Sequence, residues 1–163
     1  MKNEDVVKLL IPGIIVGAIL GFGLGMLAGV NPTNPIPNYI GGILCCVVPT
    51  LLNCIIVIKG AAKNLKRSIS IGEAFKRVIP YVIGAALVGL FMYMAVIESL
   101  LGINSCDIPR ITNAIMQAVF GILASTFFGF VAIKSYARDV KYTKRKKKKW
   151  YFLIDNICIL LLL

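Results

Sequence analysis

The sequence predicts an all-α integral membrane protein: four transmembrane helices, two tandem helical hairpins in parallel repeat, packed through small residues in the manner of a glycine zipper. Three observations carry that expectation. The chain has 163 residues, 58% of them hydrophobic, and a mean hydropathy of +0.86, more apolar surface than a soluble core of this size can hide. Its charges are confined to a few segments between long apolar runs. Glycine recurs at 13, 17, 21, 25 and 29, one helical face of the first run, although each interior glycine costs a soluble helix about 1 kcal/mol relative to alanine.

The apolar runs are residues 6–30, 39–58, 78–101 and 111–133. Each is of the order of the 20 residues needed to cross roughly 30 Å of hydrocarbon as a helix. Between them lie "NPTNPIPN", "KGAAKNLKRSISIGEAFKR" and "GINSCDIPR", and the Pro and Asn of the first and third end helices cleanly. Unpaired strand edges are not tolerated in lipid, and the short alternating segments of a barrel are absent from the sequence, so the spans are expected to be helical. Residues 1–140 read as one four-span domain. Residues 141–163 read as a polybasic tail with a short apolar interfacial segment. The first run is longer than the apolar core of a signal peptide and has Glu4 and Asp5 beside its lysines, so it is expected to stay as a span.

Orientation follows from counting. Lys2 and Lys8 precede the first span, and Lys59, Lys63, Lys66, Arg67, Lys76 and Arg77 occupy the second connection. Lys134, Arg138, Lys141 and the block Lys144 to Lys149 follow the fourth span. Seventeen of the eighteen basic residues thus fall on one side, Arg110 alone on the other. Basic flanks are retained in the cytoplasm, which predicts a multi-pass protein of the cytoplasmic membrane with both termini inside and Cys106 outside.

A weak repeat links the two hairpins. "IPGIIVGAIL" from Ile11 resembles "IPYVIGAAL" from Ile79 with one residue deleted; "IPN" at 36–38 matches "IPR" at 108–110; "VIKGAAK" at 57–63 resembles "AIKSYAR" at 132–138. Two spans per unit would relate the halves about an axis along the membrane normal. "SIGE" at 70–73 fits a Ser-x-x-Glu capping box. It predicts a short interfacial helix leading into the third span, with Phe75 towards lipid and Pro80 disturbing the helix as it enters the bilayer.

Lipid is as apolar as leucine, so spans associate by close van der Waals approach, which small residues four apart permit. Gly13, Gly17, Gly21, Gly25 and Gly29 form such a groove. The third span offers Ala85 and Gly89, and the fourth Asn113, Gln117, Gly121, Ser125 and Gly129. The second offers two adjacent stripes, Gly42, Cys46, Thr50, Cys54 and Gly41, Cys45, Pro49, Asn53. Thr50, Asn53, Asn113 and Gln117 admit a second use, lining a path for a polar solute.

Other chemistry is thin. The chain has no histidine, the commonest general base and a frequent metal ligand, and no acid near the middle of any span, where proton-coupled transporters keep one. No catalytic residue, metal site or cofactor is expected. Glu98 and Asp107 with Arg110 read as a solvated outer cluster. "GLGMLA" at 23–28 copies a dinucleotide fingerprint but lies inside a span. Lys144, Arg145, Lys146, Lys147, Lys148 and Lys149 are expected to lie on anionic lipids of the cytoplasmic leaflet, with no nucleic acid as partner. The run after them reads as an interfacial anchor, with a fifth span cut short or an out-of-frame segment as alternatives. These features point to a non-catalytic subunit or assembly partner of a larger membrane complex. A self-assembling channel, permease or holin-like pore is the alternative, and an intramembrane enzyme fits least.

Overall fold

The computed structural model describes residues 3–28, 36–92, 94, 102 and 108–161, with side chains in the last segment described to Thr143. It contains helices α1 (Asn3–Ala28), α2 (Ile36–Asn64), α3 (Ile71–Phe91) and α4 (Arg110–Leu161). All four are long and apolar enough to cross a membrane, over Glu4–Leu27, Ile36–Asn64, Ile71–Phe91 and Arg110–Thr143. Gly29, Cys106, Glu98 and Asp107 lie outside the described residues.

Helical structure overruns the apolar segments at the basic end of the bundle. α2 continues past Ile58 to Asn64, because Ala61 and Ala62 are strong helix formers that are also fully buried. It stops in a Schellman turn: Arg67 N–H donates to the Ala62 carbonyl at 2.9 Å and Lys66 N–H to the Lys63 carbonyl at 3.0 Å. Lys66 takes the left-handed conformation, φ 54°, where glycine is the usual occupant. The left-handed region costs a non-glycine residue about 1–2 kcal/mol, so Lys66→Gly should raise thermal stability by up to about 1 kcal/mol, and Lys66→Val should lower it. Equal melting temperatures for the two variants would contradict the turn.

α3 starts one residue after Ser70, whose hydroxyl accepts the Glu73 N–H at 3.1 Å. The predicted cap is therefore present, but the helix it opens is continuous. It passes through Pro80 to Phe91 rather than forming a separate interfacial piece, and Phe75 is exposed. α4 likewise runs on from the fourth apolar segment through the backbone of the tail; after Gly129 the sequence contains neither glycine nor proline to end it.

α1, α2 and α4 pack on one another, most extensively α1 on α4, whereas α3 rests on α2 and only lightly on α4. The largest cluster of buried side chains sits at the basic end, where Val6, Val57, Ile58, Val78, Ile133, Tyr136 and Val140 meet. At that end Arg77 ties α3 to α4: its guanidinium lies 3.0 Å from Asp139, 3.5 Å from Glu73, and over the Tyr136 ring at 5.3 Å. The pair is more than a third exposed, which limits it to about 0.2–1 kcal/mol. An Arg77→Ala, Asp139→Ala double-mutant cycle should return a coupling in that range. At the opposite end, Arg110 Nε donates to the Met26 carbonyl at 2.9 Å, satisfying one of the orphan carbonyls that close α1.

Candidate functional site

The glycine face of α1 is turned towards α4, and the two antiparallel helices meet at every fourth residue. A Cβ added to Gly25 would lie 2.5 Å from the Ala114 Cα. One on Gly21 would lie 2.6 Å from the Gln117 carbonyl oxygen and 2.7 Å from the Ala118 Cα. One on Gly17 would lie 2.9 Å from both the Gly121 carbonyl oxygen and the Ile122 Cα. These neighbours are backbone, which cannot swing aside, so the approach depends on the missing side chain. Gly23, two residues from Gly21, faces open space. On α4, Gly121 also abuts the Cys45 carbonyl of α2, at 2.8 Å from an added Cβ.

Two further small positions, Ala85 and Gly89, lie on α3. Gly89 approaches the Gly42 carbonyl oxygen of α2, 2.5 Å from an added Cβ, and the Ile43 Cα at 2.9 Å. Ala85 is fully buried in a cluster with Cys45, Cys46 and Ala124.

One rung further along the α1–α4 seam, the glycine ladder gives way to a polar node joining three helices. The Asn53 carboxamide from α2 occupies the space left by Gly13 of α1 and Gly129 of α4, and side chains added to either glycine would overlap it. Asn53 Nδ2 donates to the Ser125 carbonyl at 2.7 Å. Ser125 Oγ donates to the Gly13 carbonyl at 3.0 Å. The node is thus a chain of hydrogen bonds from α2 through α4 to α1. Gln117 Nε2 donates to Asn113 Oδ1 at 3.4 Å along α4. Thr50, Asn53, Gln117 and Ser125 have no exposed surface, and Asn113 is 1% exposed. The residues proposed for a polar path are thus enclosed between the helices, spread along the same seam as the packing glycines.

Sequence reasoning missed four contributors. Asn38 is fully buried near the start of α2; its place on the Gly42, Cys46 stripe was the available signal. Arg77 reads from sequence only as one cation of the second connection; Asp139, an acid among the basic residues that follow the fourth span, was the cue for a paired role. Lys66 carried no signal, since the left-handed turn follows from where α2 stops. Lys144 to Lys149 lie on the helical backbone of α4. Among the described residues no cluster of three or more His, Cys, Asp or Glu is placed to hold a metal.

Fold and site together describe a multi-pass, membrane-type helical bundle with a set of small and polar residues buried between its helices. No protein-family model matches the chain, and no curated protein or solved structure shows significant similarity to it.

Proposed function

We propose that the chain is a non-catalytic, polytopic protein of the cytoplasmic membrane, both termini inside, serving as a subunit or assembly partner of a larger membrane complex, with transport complexes the leading class. The observation that carries this reading is the enclosure of Thr50, Asn53, Asn113, Gln117 and Ser125. Asn53 and Ser125 use their enclosure for hydrogen bonds between helices, which in membranes average about 0.6 kcal/mol, and the lack of any solvent-accessible face suits the set to structure better than to a conduction path. The exterior is left to Ile14, Ile15, Ile19, Ile83, Leu87, Leu123 and Phe127, all exposed in the isolated chain and suited to lipid. On this reading the α1 seam is a glycine zipper that closes the chain on itself, and the tail lysines rest on anionic lipids.

The two hairpins are, on the same reading, copies of one unit. The contact of Gly89 with Gly42 and Ile43 repeats that of Gly21 with Gln117 and Ala118; the second pair of partners lies 75 residues after the first. The same spacing pairs Asn38 with Asn113, Thr50 with Ser125 and Ile58 with Ile133, all buried, and aligns "VIKGAAK" with "AIKSYAR". The halves differ from the repeat first drawn in two respects. Gly21 pairs with Gly89 without a deletion, and "IPN" does not pair with "IPR".

The test is purification of the tagged chain from its native membrane in mild detergent, followed by reconstitution of the chain alone. A stoichiometric second protein, with no ion or solute flux through proteoliposomes of the chain alone, is expected. A homo-oligomer that conducts would overturn the reading in favour of a self-assembling pore.

A further inference from the structure

We propose that the depression at the basic end of α2 is a binding site for a phosphate oxyanion, supplied by an anionic lipid headgroup. The depression has a volume of about 630 Å³ and is lined by Lys59, Gly60, Lys63, Lys66, Arg67 and Ser68. Four of these are cations, one is a hydroxyl donor and none is an acid. Lys59 and Lys63 stand one turn apart on α2, and the Schellman turn folds the chain back so that Lys66 and Arg67 close the same hollow. Lys66 takes its left-handed backbone as the closing residue of that turn.

The corresponding end of α4 has a similar row of cations, interrupted by an acid. At the spacing of 75 residues, Lys59, Lys63 and Lys66 correspond to Lys134, Arg138 and Lys141, and Asn64 corresponds to Asp139. On the α4 side the Asp139 carboxylate is held by Arg77 at 3.0 Å. On the α2 side an uncharged asparagine stands in that place, and no acid lines the depression. The α4 row has an acid within it, engaged by Arg77 of α3; the α2 depression presents cations alone.

The position selects a lipid as the source. Lys59 directly follows the apolar run that ends at Ile58, so the hollow opens where α2 leaves the hydrocarbon. Gly60 forms part of its wall and lies against Leu9 of α1. A headgroup phosphate among the four cations would send its acyl chains down the α1–α2 side of the bundle. Lysine binds phosphate as a point charge and Arg67 as a fork.

The experiment is native mass spectrometry of the full chain in mild detergent, titrated with phosphatidylglycerol, phosphatidylcholine and inorganic phosphate. Wild type should retain one phosphatidylglycerol at least 10-fold more tightly than phosphatidylcholine. Lys63→Gln/Arg67→Gln should weaken that binding about 30-fold, from about 1 kcal/mol for each basic residue near an anionic surface. Lys134→Gln/Arg138→Gln, the same charge change at the α4 end, should cost less than about 3-fold. Lys59→Gln/Lys63→Gln provides a second reading of the pocket, and unchanged melting in lipid-free detergent confirms that the exposed substitutions leave the fold intact. Equal losses at both ends would reduce the effect to diffuse surface charge and overturn the site, as would a pocket variant that binds like wild type. Millimolar inorganic phosphate that binds with the same variant dependence and displaces the lipid would keep the oxyanion site and overturn the lipid as its source. The inference rests on the membrane reading and on the repeat. A chain that will not enter bilayers defeats the membrane reading, whereas a reconstituted chain without lipid selectivity defeats this inference alone.

Discussion

Gly21→Leu should lower the unfolding free energy by about 3 kcal/mol or more, at the upper end of the range for overpacking, while the oligomeric mass stays that of wild type. Even the first carbon of the new side chain would sit 2.6 Å from the Gln117 carbonyl oxygen and 2.7 Å from the Ala118 Cα, so α1 and α4 must separate along their whole seam. Dispersion contacts fall off steeply with separation, and in lipid no hydrophobic term offsets the loss. Gly23→Leu is the matched control: the same helix and residue types, but open space around the glycine, and a change within about 0.5 kcal/mol. Thermal melting in detergent and native mass spectrometry read both properties. A folded Gly21→Leu monomer from an oligomeric wild type would place the groove between copies and contradict the internal seam.

Asn53→Asp should destabilise by about 3 kcal/mol, the insertion cost of an acidic residue at the centre of a span, because the new carboxylate would lose the Nδ2 donor to Ser125 and gain no water. Asn53→Leu, close in shape and without polarity, should cost only about 1 kcal/mol. The ordering distinguishes the two uses of this residue. A residue on an open polar path would tolerate Asp, with water as its partner, and resent Leu. Unfolding in bicelles, with tolerance of Asp to within 1 kcal/mol, would reopen the path reading.

Much of this bundle is written in local sequence, and its assembly is not. The four spans follow from apolar runs that only helices can place in lipid, and the α3 start follows from Ser70 and Glu73. The faces of closest approach are also legible, because glycine at every fourth position has little other use. Which face meets which is not legible, since small residues carry no chemical label for a partner. Gly21 could equally have met α2, α3 or another chain. The helical extension beyond Ile58 was hidden for a related reason. Ala61 and Ala62 are buried at 0–1% exposure inside a segment whose lysines and arginines dominate any reading of polarity. Asn53 was visible as a polar residue in a span, but its slot between Gly13 and Gly129 depends on three helices whose contacts span most of the chain.

The ladder between α1 and α4 has a mechanical consequence. Its rungs at Gly17, Gly21 and Gly25 are nearly interchangeable, so the seam behaves like a rack and pinion: it sets how close the helices run but tolerates a slip of one tooth, about 6 Å of travel for four residues. Something else must index it. The Asn53–Ser125–Gly13 hydrogen-bond chain fits at one setting only, as a single polar residue fixes the alignment of a coiled coil, and the Arg110 clasp on Met26 locks the far end of the same rack. The glycines supply the gear, and two polar contacts hold its position.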